Sequence, residues 1–167
     1  MKIALTGPES TGKTNTAFYL AAFFNAVVVE EMARKYIDQL GRPYEERDLL
    51  EIAKMQCAEE DRLSGSKLII CDTTLMVIKV WSEYRYGRCD PWIEKEYRKR
   101  KYRLHLLCHI DIPWQRDDQR EHANAREELF NIYHSELIQS GAPYEILTGL
   151  DEKRKAKAVE FVKKVLI

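Results

Sequence analysis

The chain alternates between short, almost wholly apolar runs and longer stretches with helical periodicity. Residues 2–6 (Lys-Ile-Ala-Leu-Thr) form the first apolar run, and residues 16–24 the first helix-like one. Residues 26–30 are β-branched and end in the acidic pair Glu30-Glu31, which predicts a second buried strand. A short helix is expected from Met32 to about Leu40, closed by Gly41 and Pro43. Over 45–63, Leu49, Ile52, Ala53, Gln56 and Leu63 fall at helical spacing, with Glu59, Glu60, Asp61 and Arg62 expected on the solvated side. Residues 67–72 read as a third strand ending on Asp72. Residues 73–86 fit both periods, and the spacing of Leu75, Ile78, Trp81 and Arg85 before Gly87 favours helix. Asp90-Pro91 is an N-cap followed by a first-turn proline, opening a charged helix to about Lys101. A fourth strand is predicted over 103–111. A polar stretch over 113–126 precedes a helix running through Leu129, Phe130, Tyr133 and Leu137 to Gly141. Residues 144–148 read as a fifth strand, and Asp151 is expected to cap a last helix with Ala156, Val159, Val162 and Leu166 inward.

Continuously apolar strands separated by helices are the pattern of a parallel sheet covered on both faces. The expected fold is therefore α/β, with a five-stranded parallel sheet. Ligands in such folds bind beyond the carboxyl ends of the strands, so Glu30, Glu31, Asp72 and Asp111 should share one edge with the first strand-to-helix turn. That turn is Gly7-Pro8-Glu9-Ser10-Thr11-Gly12-Lys13-Thr14, which matches G-x-x-x-x-G-K-[ST] between a strand and a helix, so the expected fold is the three-layer P-loop nucleoside-triphosphate hydrolase/kinase fold. Glycines at both ends let successive backbone N–H groups face phosphate oxygens, while Lys13 supplies charge to the β/γ-phosphates and Thr14 a hydroxyl to Mg²⁺. Gly7, Glu9, Ser10, Thr11, Gly12, Lys13, Thr14 and Asn15 form the candidate nucleotide-binding set.

Asp72, at the end of an apolar strand, is a candidate to hold Mg²⁺ or accept a substrate hydroxyl, or else to cap the helix that follows. Arg116, Arg120 and Arg126 could close over a nucleotide, or pair with the interspersed acids. Glu31 and Arg34, three apart, could bind a hydroxylated substrate or simply pair. Trp81, Tyr84, Tyr86 and Trp114 offer faces for a flat ring, neutral or cationic, or for core packing. Gln56 reads as a core amide.

At 167 residues and 45% hydrophobic content the chain suits one domain. With 27 basic and 27 acidic residues it carries no net charge, which argues against nucleic acid or an anionic membrane as partner. The basic run 95–103 is diluted by Glu94 and Glu96 and reads as a solvated helix face. Cys57, Cys71, Cys89 and Cys108 lack metal-site spacing, as do the four histidines, and the cysteines read as reduced thiols. The longest nearly apolar run, 17–29, falls short of the ~18 residues a spanning helix needs, and no secretion signal is visible, so a cytoplasmic location is expected.

Taken together, the phosphate loop, Glu31-Met32-Ala33-Arg34, Cys71-Asp72-Thr73, Val80-Trp81-Ser82 and Leu106-Leu107-Cys108 running into Asp111-Ile112-Pro113-Trp114 mark a family. So do Asp117, Arg120 and Arg126 after it. The chain resembles the nicotinamide riboside kinase domain of NadR-type proteins, within the AAA-like P-loop kinases. The resemblance implies ATP-dependent phosphorylation of the ribose 5′-hydroxyl of nicotinamide riboside. It assigns Lys13, Asp72, Arg120 and Arg126 to catalysis, Thr14 and Asp72 to Mg²⁺, and Glu31, Arg34, Asp72, Trp81 and Trp114 to the acceptor, with an arginine-bearing lid at about 113–127. Asp118-Gln119 stands where the family usually has a small or apolar pair. Neither the helix-turn-helix nor the adenylyltransferase domain of full NadR proteins is present in this chain. A kinase of another nucleoside or small alcohol, or a nucleotide-dependent ATPase switch, fits the same scaffold.

Overall fold

A computed structural model describes residues 1–117 and 123–166. Five strands, β1 (Lys2–Thr6), β2 (Val27–Val29), β3 (Ile69–Asp72), β4 (Leu104–Cys108) and β5 (Tyr144–Leu147), form one sheet. Among the described residues seven helices accompany them: α1 (Lys13–Phe24), α2 (Met32–Leu40), α3 (Glu46–Arg62), α4 (Leu75–Tyr86), α5 (Pro91–Lys99), α6 (Arg126–Ser140) and α7 (Asp151–Leu166), with a 3-10 turn at Ala123–Ala125. The strand order is β2-β3-β1-β4-β5 and every pairing is parallel. β1 is central, and the chain visits β2 and β3 on one side before crossing to β4 and β5. A crevice must therefore open at its carboxyl end.

The strands' two-residue period assigns side chains to opposite layers. Ile3, Leu5, Ile70, Leu104 and Leu106 join α1 and α7 through Ala17, Leu20, Ala158, Val159 and Val162. Ala4, Ile69 and Cys71 face the other way, as does Leu107, which packs with Met76 and Val80 of α4 and Leu129, Phe130 and Tyr133 of α6. Beyond them α3 packs on α4 through Leu49, Ile52, Leu75 and Ile78. Asp90 caps α5 by accepting from the Trp92 amide at 2.8 Å, behind Pro91 in the first turn. Cys57, Cys71 and Cys108 are buried free thiols and Cys89 is half-buried. No helix among the described residues is long and apolar enough to cross a membrane.

Several boundaries differ from the sequence pattern. The helix after the phosphate loop starts at Lys13, not Thr16, and β2, β3 and β5 are shorter than their apolar runs. β4 leaves the sheet at Cys108 instead of reaching Asp111, because the carbonyls of His109, Ile110 and Ile112 accept from arginine side chains (3.3, 3.2 and 2.8 Å). α5 ends at Lys99, where Arg100 turns extended and its guanidinium binds Asp61 at 2.8 and 2.9 Å. In α7 the inward positions are Arg154, Ala158, Val159 and Val162. Ala156 and Leu166 are exposed. Asp151 is that helix's first residue, and the Leu150 carbonyl takes the free amides of Lys153 and Arg154.

The largest departure is Glu60, expected in solvent and found fully buried. It accepts from Lys2 Nζ (2.9 Å), the Tyr102 hydroxyl (2.8 Å) and Arg100 (3.3 Å), so a carboxylate at the end of α3 ties together the starts of β1 and β4 and the end of α5. Removing one member of such a buried cluster strands the others' charges in a poor dielectric. Glu60→Ala should cost about 3–5 kcal/mol in urea unfolding; a loss under about 1 kcal/mol would place the network in effective contact with water.

Candidate active site

β1 delivers the chain into a loop whose shape depends on glycine at two points. Gly7 has φ 133°, and a Cβ there would stand 2.8 Å from the Cys108 carbonyl oxygen, so β1 meets the end of β4 backbone to backbone. Gly12 (φ 74°) is the N-cap of α1, with no side-chain cap over the first-turn amides. Between them the carbonyls are claimed from outside. Ser10 O accepts from Arg126 (3.2 Å), Thr11 O from Arg154 (2.7 Å) and Gly12 O from the Thr16 hydroxyl (2.8 Å). A trans peptide directs its N–H opposite its C=O, so the amides of Thr11, Gly12 and Lys13 face the cleft. Lys13 Nζ closes over the loop, donating to Gly7 O (3.0 Å) and Pro8 O (2.8 Å). The loop can thus present oriented N–H dipoles and one mobile cation to phosphate.

The cleft has a volume of about 550 Å³. One end is the loop from Gly7 to Asn15, with Leu150 and Asp151 beside it. At the other end are Ala33, Arg34 and Ile37 on one face of α2, Val77, Trp81 and Tyr84 on one face of α4, and Leu129 and Tyr133 of α6. Glu31, Ile112, Pro113 and Gln115 complete the lining. The structure therefore brings together the whole candidate nucleotide set with Glu31, Arg34 and Trp81. Glu31 and Arg34 pair at 3.5 Å, and Arg34 also bonds Asp117 at 3.1 Å.

Asp72 lies just behind the lining, 2% exposed. It does not cap α4, whose N-cap is Thr74. Its Oδ1 has no hydrogen-bond partner among the described residues, nor do the buried hydroxyls of Thr73 and Thr74. Burial pushes the Asp72 carboxyl up to about 6, against a hydrogen bond from Thr14 that favours the anion. Thr73 holds φ 83°, a costly conformation for a β-branched residue. Gln56, fully buried, spans this loop and the end of β2, accepting from Met32 N (3.0 Å) and donating to Glu30 O (3.3 Å) and Thr73 O (3.4 Å).

Other expected residues stand elsewhere. Glu30 is exposed and pairs with Lys35 at 3.2 Å. Asp111 serves structure, accepting from Arg154 (2.9 Å) and the Gly149 amide. Trp114 is not among the lining residues, and the Arg126 guanidinium lies 6.0 Å from its ring centroid. Arg126, read as a lid cation, binds three carbonyls, those of Ser10, Ile110 and Ile112. Arg120 and the pair Asp118-Gln119 lie outside the described residues. In the basic run, Arg98 pairs with Glu94, Lys99 with Glu96 and Arg100 with Asp61. Arg154 was missed altogether. In sequence it is one more basic residue in a lysine-rich helix, and only the helix's true phase turns it toward the loop.

A parallel 2-3-1-4-5 sheet with a phosphate loop after its central strand defines a P-loop nucleoside-triphosphate hydrolase/kinase fold. The chain belongs to the AAA domain family, whose model matches residues 2–154. It is similar to the trifunctional NAD biosynthesis/regulator protein NadR of Salmonella typhimurium and of Escherichia coli. Identity to each is 22% over 173 residues, covering 98% of this chain and 42% of the relative, so this chain spans less than half the length of those relatives. Among solved structures, NadR protein in complex with NR superposes with a TM-score of 0.84 at 21% identity, covering 98% of this chain and 51% of that one. NadR protein with NAD and AMP-PNP gives 0.78 at 20%, covering 98% and 49%. Thymidylate kinase from Ehrlichia chaffeensis gives 0.69 at 16%, covering 100% and 98%. At these identities the superpositions show a shared fold.

A buried acid with a raised pKa holds its proton more firmly in the native state than in the unfolded chain, so stability falls as pH rises between the two values. Asp72, shifted from 3.8 to about 6, should by itself take on the order of 3 kcal/mol from the ligand-free protein across that window. Burial lowers the His105 imidazole to about 4, which adds stability over the same window, so from pH 4 to 7 the wild-type urea midpoint should fall relative to that of Asp72→Asn. Parallel curves would mean that water reaches the carboxylate.

Proposed function

We propose that this chain is an ATP-dependent nucleoside kinase whose acceptor is the ribose 5′-hydroxyl of nicotinamide riboside, giving nicotinamide mononucleotide for NAD salvage. The observation that carries the reading is a single cleft with a phosphate loop at one end and an acid, an arginine and aromatic faces at the other. Group transfer needs both partners in one water-poor space, whereas hydrolysis needs only the first. The similar proteins, NadR in complex with NR and NadR in complex with NAD and AMP-PNP, favour the same acceptor and donor.

Charge favours a nucleoside over a nucleotide acceptor. Among the described lining residues the cations are Lys13, at the phosphate loop, and Arg34, which is already paired with Glu31 and Asp117. A phosphorylated acceptor would meet carboxylates there, while a cationic pyridinium is suited to an acidic rim and indole and phenol faces. In this reading residues 1–167 form one P-loop kinase domain with an arginine-bearing lid at about 113–127. Lys13 and the amides of Thr11, Gly12 and Lys13 hold the β- and γ-phosphates. Arg120 is the proposed lid contact to the transferred phosphoryl group. Arg126 locks the root of the lid to the phosphate loop. Thr14 and Asp72 suit Mg²⁺, since they are hydrogen-bonded oxygen donors and Asp72 Oδ1 is unpartnered, and the ion would neutralise charge on the phosphates.

A coupled ADP-release assay over nicotinamide riboside, other nucleosides and thymidine monophosphate tests the reading. Turnover is expected with nicotinamide riboside. Turnover with other acceptors alone would reassign the substrate, and acceptor-independent ADP release would favour an ATPase switch. Lys13→Ala should lower kcat by about 10³-fold with the fold retained in circular dichroism; near-normal kcat would contradict the role given to Lys13.

A further inference from the structure

Trp81 lines the acceptor half of the cleft, yet its polar edge is used outside it. Nε1 donates to the Tyr44 hydroxyl at 3.0 Å, and the two rings meet edge-on with centroids 4.8 Å apart and planes at 64°. Tyr44 is not among the lining residues. It sits in the linker between α2 and α3, over residues 41–45, and that linker is firmly anchored. Buried Asp48 accepts from both terminal nitrogens of Arg42 at 2.8 Å, from the Tyr36 hydroxyl at 3.0 Å and from the Glu45 amide at 2.7 Å. The Arg42 guanidinium holds the Asp48 carboxyl far below the usual carboxylate range, so the anchor stays charged through the working pH range. Arg85 adds a second constraint, its guanidinium 4.7 Å from the Tyr44 ring centroid.

An indole has one hydrogen-bond donor. Once that donor is given to Tyr44, the surface Trp81 offers to the cleft is π-face, which rewards flat and cationic rings over ligands seeking a hydrogen bond. We propose that Tyr44 is a positioning residue for acceptor recognition: by accepting the Trp81 N–H from an anchored linker, it fixes the indole plane and sets the preference of this subsite for a flat, positively charged ring. The inference rests on the reading of this half of the cleft as the acceptor site. It assigns to the α2–α3 linker, outside the cleft, a share in choosing the substrate.

Steady-state kinetics on the full chain, with acceptor and ATP varied separately, provide the test. Tyr44→Phe keeps the ring and loses the acceptor oxygen, and should raise the KM for nicotinamide riboside about fivefold. The KM for ATP and kcat should stay within about twofold. Tyr44→Leu, which also loses the ring contact, should raise the acceptor KM further. Freeing the indole N–H should also shift the Trp81 emission, and that shift should vanish when Tyr44→Phe is made in a Trp81→Phe background. An unchanged acceptor KM in an active Tyr44→Phe enzyme would overturn the role of Tyr44 alone. So would an emission shift that survives in the Trp81→Phe background, or equal rises in both KM values with a lowered melting temperature. No turnover by wild type with any acceptor would instead overturn the kinase reading, and the proposal with it.

Discussion

The cleft depends on a single type of contact, an arginine guanidinium donating to backbone carbonyls. Arg126 and Arg154 reach the phosphate loop from α6 and α7, across 116 and 143 positions of sequence, and hold the Ser10 and Thr11 carbonyls outward. Charge-assisted bonds of this kind contribute about 1.5–3 kcal/mol each. Their larger effect is geometric, because turning a carbonyl out turns the next amide in. The same side chains take the carbonyls of His109, Ile110 and Ile112, and so end β4 early and set the path of the segment that follows it. Asp111 completes the arrangement by holding Arg154 and the Gly149 amide. The phosphate cradle is thus shaped from behind by two arginines on distant helices.

The other side of the cleft is built on a different principle, a neutral amide bridging two loops. Gln56 joins the end of β2, which carries Glu31, to the end of β3, which carries Asp72. Its place on the inner face of α3 makes that helix a gauge between the two strand ends. A residue inserted or deleted upstream within the helix would rotate Gln56 by about 100° and remove it from both. The strained Thr73 backbone and the unpartnered oxygens of Asp72, Thr73 and Thr74 sit beside this bridge.

Much of the architecture could be read from the chain because its signals are local. The five apolar runs and the loop motif dictate strands, parallel pairing and the place of the crevice without knowledge of any tertiary contact. What escaped the sequence was set by distant partners. Glu60 looks like one acid among three in a polar stretch, and only the convergence of Lys2, Arg100 and Tyr102 makes its burial tolerable. Arg126 fitted a lid cation by position, but three backbone carbonyls without a partner in the sheet claim it. Asp111 ends an apolar run as Asp72 does, yet a buried arginine stands next to one and not the other. The phase of α7 was misjudged by treating Arg154 as surface, since a buried arginine carries no hydrophobic signature.

The span between Thr11 and Arg154 also has a consequence in time. The phosphate loop is made before the rest of the site, yet one of its two arginine anchors follows it by 143 residues. At synthesis rates of about 5–20 residues per second, the loop waits on the order of ten seconds for that anchor. Until α7 has emerged and packed, a bound nucleotide would find the motif but not its final shape. The first part of the site to be translated is therefore among the last to become competent, which delays nucleotide capture until nearly the whole domain has been made.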